Sequence, residues 1–210
     1  CNMFSFLKNK ETTKVTLARQ LITVRQPKAI VSEQFKTIRT NINFSMPDVD
    51  LRTIVITSTT PGEGKSTSSS NIAVVFAQSG KKVLLIDGDM RKPTAHHTFK
   101  LNNVRGLSNV LTRQYSVEEV VQQTEVDGLS VITSGPIPPN PAELIASKTM
   151  DRLIEIIVDQ YDFIIFDAPP VLSVTDVFQF LLSDSGWAIA MRIFLLMVEV
   201  AIVAYMYFYY

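Results

Sequence analysis

The segment from Thr53 to Ser79 restricts the possible folds more than any other part of this sequence. It begins with the short β-branched run TIVIT, passes through the turn Pro61–Gly64, and continues as a helix-forming stretch from Ser66 that Gly80 terminates. A strand, a glycine-rich turn and a helix in this order form the framework of a phosphate-binding loop. In such a loop, backbone N–H groups and the helix N-terminus surround phosphate oxygens.

The residues of this loop predict a nucleotide site that includes a divalent metal. In this arrangement the Lys65 ammonium neutralises phosphate charge, and the Ser66 hydroxyl is a ligand for Mg²⁺. The strict motif GxxxxGK[ST] fails at its first glycine, where Thr59 stands, so a glycine-rich turn with a solvated lysine is the competing interpretation. The position directly after a buried strand favours the nucleotide site. The predicted nucleotide-binding residues of the loop are Pro61, Gly62, Glu63, Gly64, Lys65, Ser66 and Thr67.

Two further apolar runs end at carboxylates. Asp87 and Asp89 follow the strand-like run Val83–Ile86, and Asp167 follows the run Phe163–Phe166. Because ligands of parallel sheets bind beyond the carboxyl ends of the strands, we expect these three carboxylates to lie beside the glycine-rich loop. Carboxylates at such a position hold a metal directly or through water, or orient a nucleophile. We therefore predict a site for ATP and Mg²⁺, with Ser66, Asp87 and Asp167 as metal ligands and Arg91 as a further nucleotide-binding residue.

Short apolar strands alternate with helices along most of the chain. This alternation predicts an α/β fold, in which a parallel β-sheet is flanked by helices on both faces in a three-layer, Rossmann-like arrangement. Gly135–Pro141 (GPIPPNP) is expected to form a rigid loop, because its prolines disfavour both helix and strand pairing. The other predicted elements are helices at Ser32–Ile42 (with Ser32 as the cap), Gly106–Leu111, Val117–Gln123 and Ala142–Asp159, and a strand at Leu129–Thr133.

Composition and charge exclude several classes of protein. Twenty Lys and Arg residues balance twenty Asp and Glu residues, so we expect no nucleic-acid partner. The single cysteine, Cys1, cannot form a disulfide framework or a thiolate metal site, which suits a reducing cytoplasm. The charged residues near the start of the chain precede no long apolar run, so we expect no secretory signal.

Several motifs together resemble the bacterial tyrosine kinases of the capsule and exopolysaccharide type, which are built on a P-loop ATPase fold. PGEGKST resembles their Walker A motif, VLLIDGDMRKPT their second, aspartate-bearing motif, and FIIFDAPP their Walker B motif. GPIPPNPAEL is similar to a loop of this family that general P-loop ATPases lack. The resemblance covers Val24 to Asp176. It divides the chain into a flexible N-terminal arm (1–23), a P-loop kinase domain (24–176) and a divergent apolar tail (177–210).

The resemblance implies a protein-tyrosine kinase that phosphorylates its own tyrosines with Mg·ATP and regulates polysaccharide biosynthesis and export. It implies catalytic roles for Lys65, Asp87 and Asp89, with Asp87 accepting the tyrosine proton or contacting the metal. Asp89 and Asp167 would hold metal-bound waters, and Arg91 would bind phosphate or the incoming substrate. Relatives of the short form are activated by a separate membrane adaptor, which would place this protein in the cytoplasm at the inner face of the membrane.

The same resemblance implies a homo-oligomeric ring whose contact is a helix with the motif E-x-x-R-x-x-R. The matching residues here are Glu33, Lys36 and Arg39. Lysine in the middle position lacks the bidentate fork of arginine, so we expect a weaker ring contact. An ordinary surface helix with mixed charges is the alternative interpretation of this stretch.

The tail does not continue the resemblance. Trp187–Tyr210 has the length of a membrane helix, although Arg192 and Glu199 would each cost about 2.5–3.5 kcal/mol at the centre of such a helix. Three interpretations stay open, namely replacement core strands, a membrane-seeking segment, and foreign sequence that follows a disrupted reading frame. The abruptness of the change favours the third. Four tyrosines lie in an apolar setting unlike an exposed acceptor segment: Tyr205, Tyr207, Tyr209 and Tyr210.

Two other functions are compatible with the nucleotide-binding motifs. A partitioning or cell-division ATPase has the same broad fold, but it carries a second lysine at the start of its P-loop, where this chain has Thr60. A degenerate nucleotide-binding regulatory subunit without kinase activity would accommodate the divergent tail. Thr60 and the GPIPPNP loop favour the kinase.

Overall fold

A mostly parallel sheet organises the part of the chain that the structure describes, which is residues 21–45 and 51–170 of a computed structural model. Within these residues the strand order is β1-β5-β2-β4-β3. The pairs β1/β5, β5/β2 and β2/β4 are parallel, and β3 pairs antiparallel with β4 at the edge. The strands are β1 (Thr53–Ile56), β2 (Val83–Asp87), β3 (Val121–Gln123), β4 (Leu129–Ile132) and β5 (Phe163–Asp167).

The strand order determines which loops are neighbours. β5 lies between β1 and β2, and its last residue, Asp167, pairs in register with Ile56 of β1 and with Asp87 of β2. The carboxyl ends of these three strands therefore lie side by side. Because parallel sheets bind ligands at that edge, this is where a site is expected.

Helices cover both faces of the sheet, which confirms the predicted three-layer architecture. On one face α3 packs on the strands and α2 packs against α3. The ring of Phe76 in α3 stacks on Phe163 of β5, with the ring centroids 3.9 Å apart. On the other face α8 packs through Leu153 and Ile157, beside α5 and α6. The helices are α1 (Ile22–Arg25), α2 (Ile30–Ser45), α3 (Lys65–Ala77), α4 (Ala95–Phe99), α5 (Leu107–Leu111), α6 (Val117–Val120), α7 (Pro141–Ile145) and α8 (Lys148–Val158).

Two predicted helices were wrong in extent. The helix expected over Val117–Gln123 ends at Val120, and its last three residues form β3, because the β-branched Val121 leads into a segment that pairs with the edge of β4. The helix expected over Ala142–Asp159 is divided into α7 and α8. Ser147 between them is extended (φ −86°, ψ 152°), and its hydroxyl donates to the Leu144 carbonyl at 2.7 Å, which competes with helical hydrogen bonding.

The N-terminal elements also differ from the prediction. Ser32 is not the cap of α2, because this helix begins at Ile30 and the Ser32 hydroxyl donates to the Gln26 carbonyl at 2.6 Å. Thr23, expected in the loose arm, is buried in α1, where its backbone N–H and its hydroxyl both donate to the Asn71 side-chain oxygen, at 3.1 and 2.8 Å. Leu21 and Ile22 of the predicted arm are likewise described, whereas residues 1–20 lie outside the described residues.

The divergent tail likewise lies outside the described residues, which end at Pro170. The three interpretations of the tail therefore stay predictions. Within residues 21–45 and 51–170, none of the helices combines the length and the apolar character that crossing a bilayer requires.

Candidate active site

The glycine-rich loop joins β1 to α3 with two residues in the left-handed region. Gly62 has φ +92° and Gly64 has φ +84°, conformations that side chains other than glycine rarely adopt. The Glu63 carboxylate accepts hydrogen bonds from the Thr59 backbone N–H at 3.0 Å and from the Thr60 hydroxyl at 2.7 Å. The hydrogen bond from Thr60 is the main cause that lowers the pKa of the Glu63 carboxyl. These hydrogen bonds within the loop stabilise its conformation, while Pro61, Gly62 and Glu63 stay exposed.

Lys65 is the first residue of α3, and its side chain is buried although it carries a charge. Its ammonium donates to Oδ1 of Asp167 at 2.5 Å and lies 3.7 Å from Oδ2 of Asp89. The Ser66 hydroxyl oxygen is 3.3 Å from the same ammonium. One cation is therefore shared by two carboxylates from different strand ends, which compensates its burial.

Asp87 is completely buried at the end of β2. Its Oδ2 accepts hydrogen bonds from the backbone N–H groups of Thr94 and Ala95, both at 3.0 Å, whereas no described residue donates a hydrogen bond to its buried Oδ1. Burial raises the pKa of the Asp87 carboxyl from its ordinary value of 3.8 to about 7, and the negative charge of Asp167 adds to this rise. The two amide hydrogen bonds and the charge of Lys65 oppose the rise.

The remaining predicted residues lie on either side of this cluster. Asp89 is nearly buried, and its Oδ1 accepts a hydrogen bond from the Lys92 backbone N–H at 3.1 Å. Arg91 is exposed at the rim. The structure therefore places Arg91 and the tip of the glycine-rich loop at the surface. It brings five of the predicted residues together: Lys65, Ser66, Asp87, Asp89 and Asp167.

The cluster fits a magnesium ion that is held mainly by a nucleotide. The unpartnered, buried Oδ1 of Asp87 is an oxygen that needs a cation or a water molecule to offset its burial. Among the described residues, no group of three His, Cys, Asp or Glu side chains forms a metal cage by itself. Mg²⁺ in phosphate-transfer sites keeps several waters and takes one or two protein oxygens together with phosphate oxygens, so such a cage is not required.

Ser69 also lies at the cluster, although none of the sequence motifs includes it. The Ser69 hydroxyl lies 3.2 Å from Oδ1 of Asp167 and 3.0 Å from the Lys65 carbonyl oxygen. Ser69 follows Lys65 by four residues, so both lie on the same side of α3. The four-residue spacing is visible in the sequence, but it identifies Ser69 as a site residue only when the position of Asp167 at the end of β5 is known.

The residues predicted for ring contacts make contacts within the chain. The Lys36 ammonium pairs with the Glu33 carboxylate at 2.8 Å along the exposed side of α2. The Arg39 guanidinium donates to the Val75 carbonyl in the last turn of α3 at 2.7 Å. Because this carbonyl belongs to a helix end, Arg39 satisfies a group that lacks a partner within the helix ladder.

Comparisons with known proteins agree with the family resemblance of the sequence motifs. The AAA domain family model matches residues 51–191 of the chain. The chain is 53% identical over 160 residues to the tyrosine-protein kinase YwqD of Bacillus subtilis (strain 168), an alignment that covers 76% of this chain and 68% of YwqD. It is 37% identical over 175 residues to the tyrosine-protein kinase Etk of Escherichia coli (strain K12), covering 83% of this chain but only 24% of Etk.

Solved structures resemble the fold to different degrees. The crystal structure of the chimerical protein CapA2B2 superposes with a TM-score of 0.74 at 49% identity, over 77% of this chain and 71% of that chain. The septum site-determining protein MinD of Pyrococcus horikoshii, complexed with Mg-ADP, superposes with a TM-score of 0.53 at 25% identity, over 62% of this chain and 54% of that chain. The similarity is therefore greater to CapA2B2 than to this septum site-determining protein.

Proposed function

We propose that this chain, which belongs to the AAA domain family and to the bacterial tyrosine-protein kinases, transfers the γ-phosphoryl group of ATP to tyrosine hydroxyls of proteins. The observation that carries this proposal is the convergence of Lys65, Asp87 and Asp167 beside the glycine-rich loop. Phosphoryl transfer needs positioned cations and carboxylates rather than a covalent intermediate, and this cluster supplies both.

The loop would bind the phosphates of the nucleotide through its backbone N–H groups, at the N-terminus of α3. Lys65 would then exchange its two carboxylate partners for phosphate oxygens, and its charge would offset the charge that builds up during transfer. The Ser66 hydroxyl is the proposed protein ligand of the metal, together with Asp87 and Asp167 acting directly or through water. The bound Mg²⁺ would neutralise phosphate charge and align the phosphate oxygens.

Asp87 is proposed either to accept the tyrosine proton or to contact the metal. Without a metal its pKa of about 7 lies in the range of a general base near neutral pH, whereas direct contact with Mg²⁺ would lower this pKa and favour the role of a ligand. The amides of Thr94 and Ala95 hold Oδ2, so that Oδ1 is the oxygen that would accept the proton or contact the metal. Asp89 would hold a metal-bound water, and Arg91 at the rim would contact phosphate or the substrate.

From the family membership we also infer the partners of the kinase. They are a membrane adaptor of the polysaccharide co-polymerase type that activates it, tyrosine-containing protein substrates, and further copies of the chain in a ring. Ring formation through Glu33, Lys36 and Arg39 would replace the contacts that these residues make within the chain, so we expect a weak ring contact. These partners would place the protein at the inner face of the cell membrane, where it would regulate polysaccharide biosynthesis and export.

The test is tandem mass spectrometry of the protein after incubation with Mg·ATP and the cytoplasmic segment of a candidate adaptor. The Lys65→Met variant removes the central cation, and Lys148→Met is a matched control because Lys148 is exposed at the start of α8. We expect phosphotyrosine in the native protein and in Lys148→Met, and none in Lys65→Met.

Other outcomes would assign a different function. Release of ADP without phosphotyrosine would indicate an ATPase of the partitioning or cell-division type. Nucleotide binding without turnover, in the presence of several adaptor segments, would indicate a regulatory subunit without kinase activity. Equal phosphotyrosine in the native protein and in Lys65→Met would refute the proposed role of this site.

A further inference from the structure

Ser69 makes a contact to the site that none of the recognised motifs includes. Its side chain is fully buried on α3, and its single hydroxyl proton faces two acceptors, the Lys65 carbonyl oxygen at 3.0 Å and Oδ1 of Asp167 at 3.2 Å. A hydroxyl has one proton to donate, so the two acceptors compete for it.

The Lys65 ammonium affects this competition. It donates to the same oxygen of Asp167 at 2.5 Å, and this cation offsets the charge of the carboxylate. If Lys65 moves to phosphate oxygens when a nucleotide binds, the buried Asp167 carboxylate loses that donor. A hydrogen bond to an ionised acceptor is roughly twice as strong as one to a neutral acceptor, so the Ser69 proton would then go to Asp167.

We propose that Ser69 is a positioning residue for Asp167 and thereby for the metal bound with the nucleotide. The inference rests on the proposed Mg·ATP site. With Oδ1 held toward α3 by Ser69, the second oxygen, Oδ2, is the one that turns to the metal or to its water. Outer hydrogen-bond partners of this kind, when removed, typically lower metal affinity by about 10–100-fold.

The neighbouring residue Ser70 provides a matched control. It is also buried on α3, and its hydroxyl donates to the carbonyl oxygen of Ser66, four residues earlier, at 2.7 Å. Ser69→Ala and Ser70→Ala therefore remove the same group from the same helix and the same type of backbone hydrogen bond. They differ in the contact to Asp167, which the Ser69 hydroxyl makes and for which the Ser70 hydroxyl has the Ser66 carbonyl oxygen instead.

The experiment measures ADP binding by isothermal titration calorimetry over a range of Mg²⁺ concentrations and in the absence of Mg²⁺. We expect Ser69→Ala to raise the Mg²⁺ concentration for half-maximal effect at least about 10-fold, with Mg²⁺-free affinity for ADP within about twofold of the native protein. Ser70→Ala should keep the native Mg²⁺ dependence. Equal behaviour of the two variants would overturn the inference, as would a native protein whose ADP binding does not depend on Mg²⁺.

A second variant separates the hydrogen bond from packing. Ser69→Cys fills nearly the same space with a much weaker donor, so it should show the same altered Mg²⁺ dependence as Ser69→Ala. If Ser69→Ala does not fold, Ser69→Cys replaces it in the comparison with Ser70→Ala. Native Mg²⁺ dependence in Ser69→Cys would show that volume, not the hydrogen bond, matters, and would overturn the inference. Because the readout is binding, a native protein that makes no phosphotyrosine but shows the expected Mg²⁺ difference would refute the kinase and support the role of Ser69.

Discussion

Replacing Asp87 with asparagine should make the nucleotide-free protein more stable at neutral and alkaline pH. The carboxyl group is completely buried at the end of β2, next to the negative charge of Asp167. Asparagine keeps an oxygen for the amides of Thr94 and Ala95 and replaces the buried, unpartnered Oδ1 with an uncharged donor. The variant therefore removes a buried charge without removing the backbone contacts of the side chain.

The sign and size of the effect follow from the two pKa values of this group. The pKa is about 7 in the folded chain and 3.8 in the absence of the fold. Between these values the folded chain binds a proton that the unfolded chain has released, so the stability of the native protein falls as the pH rises from about 4 to about 7. Between pH 5 and pH 8 the native protein loses about 2.5 kcal/mol of unfolding free energy through this group. The asparagine variant has no such group and does not show this loss.

The assay is urea denaturation at several pH values between 5 and 8, in the presence of a chelator and without nucleotide. We expect the difference in unfolding free energy between Asp87→Asn and the native protein to grow with pH by about 2.5 kcal/mol. Asp127→Asn, which changes an exposed carboxylate, is the control for the chemical change itself. A difference that stays constant over this pH range would refute the reasoning that Asp87 carries a proton in the folded protein.

Two further substitutions test how the fold positions the site, both measured as the change in unfolding free energy in urea. Asn71→Ala would leave the buried backbone N–H and hydroxyl of Thr23 without their acceptor, and we expect a loss of about 2 kcal/mol; an unchanged stability would show that α1 does not depend on this contact. Gly106→Ala would place a methyl group against the Thr133 carbonyl oxygen and the backbone of Gly135, so a loss of at least about 2 kcal/mol is expected, and a native-like midpoint would contradict the close packing.

Much of the architecture was predictable because it depends on local patterns. The apolar runs at Val83–Ile86 and Phe163–Phe166 have the length and the β-branched or aromatic content of buried strands, and both form strands. Gly80 follows the end of α3, as predicted: the helix ends at Ala77, and Gly80 adopts φ +89° three residues later. The local pattern failed where a contact distant in sequence decided the outcome, as at Val121, which pairs with β4 instead of continuing α6.

The type of fold and the chemistry of the proposed site follow from short segments of the sequence, namely a lysine after a glycine-rich turn and carboxylates after buried strands. How these groups act on one another depends on the tertiary structure. Placing β5 between β1 and β2 puts Asp167 within reach of Lys65 and Ser69, and beside Asp87. The raised pKa of Asp87 comes from burial and from a charge eighty residues away in sequence. Desolvation and Coulomb energies depend on distances in space, and strand order sets those distances.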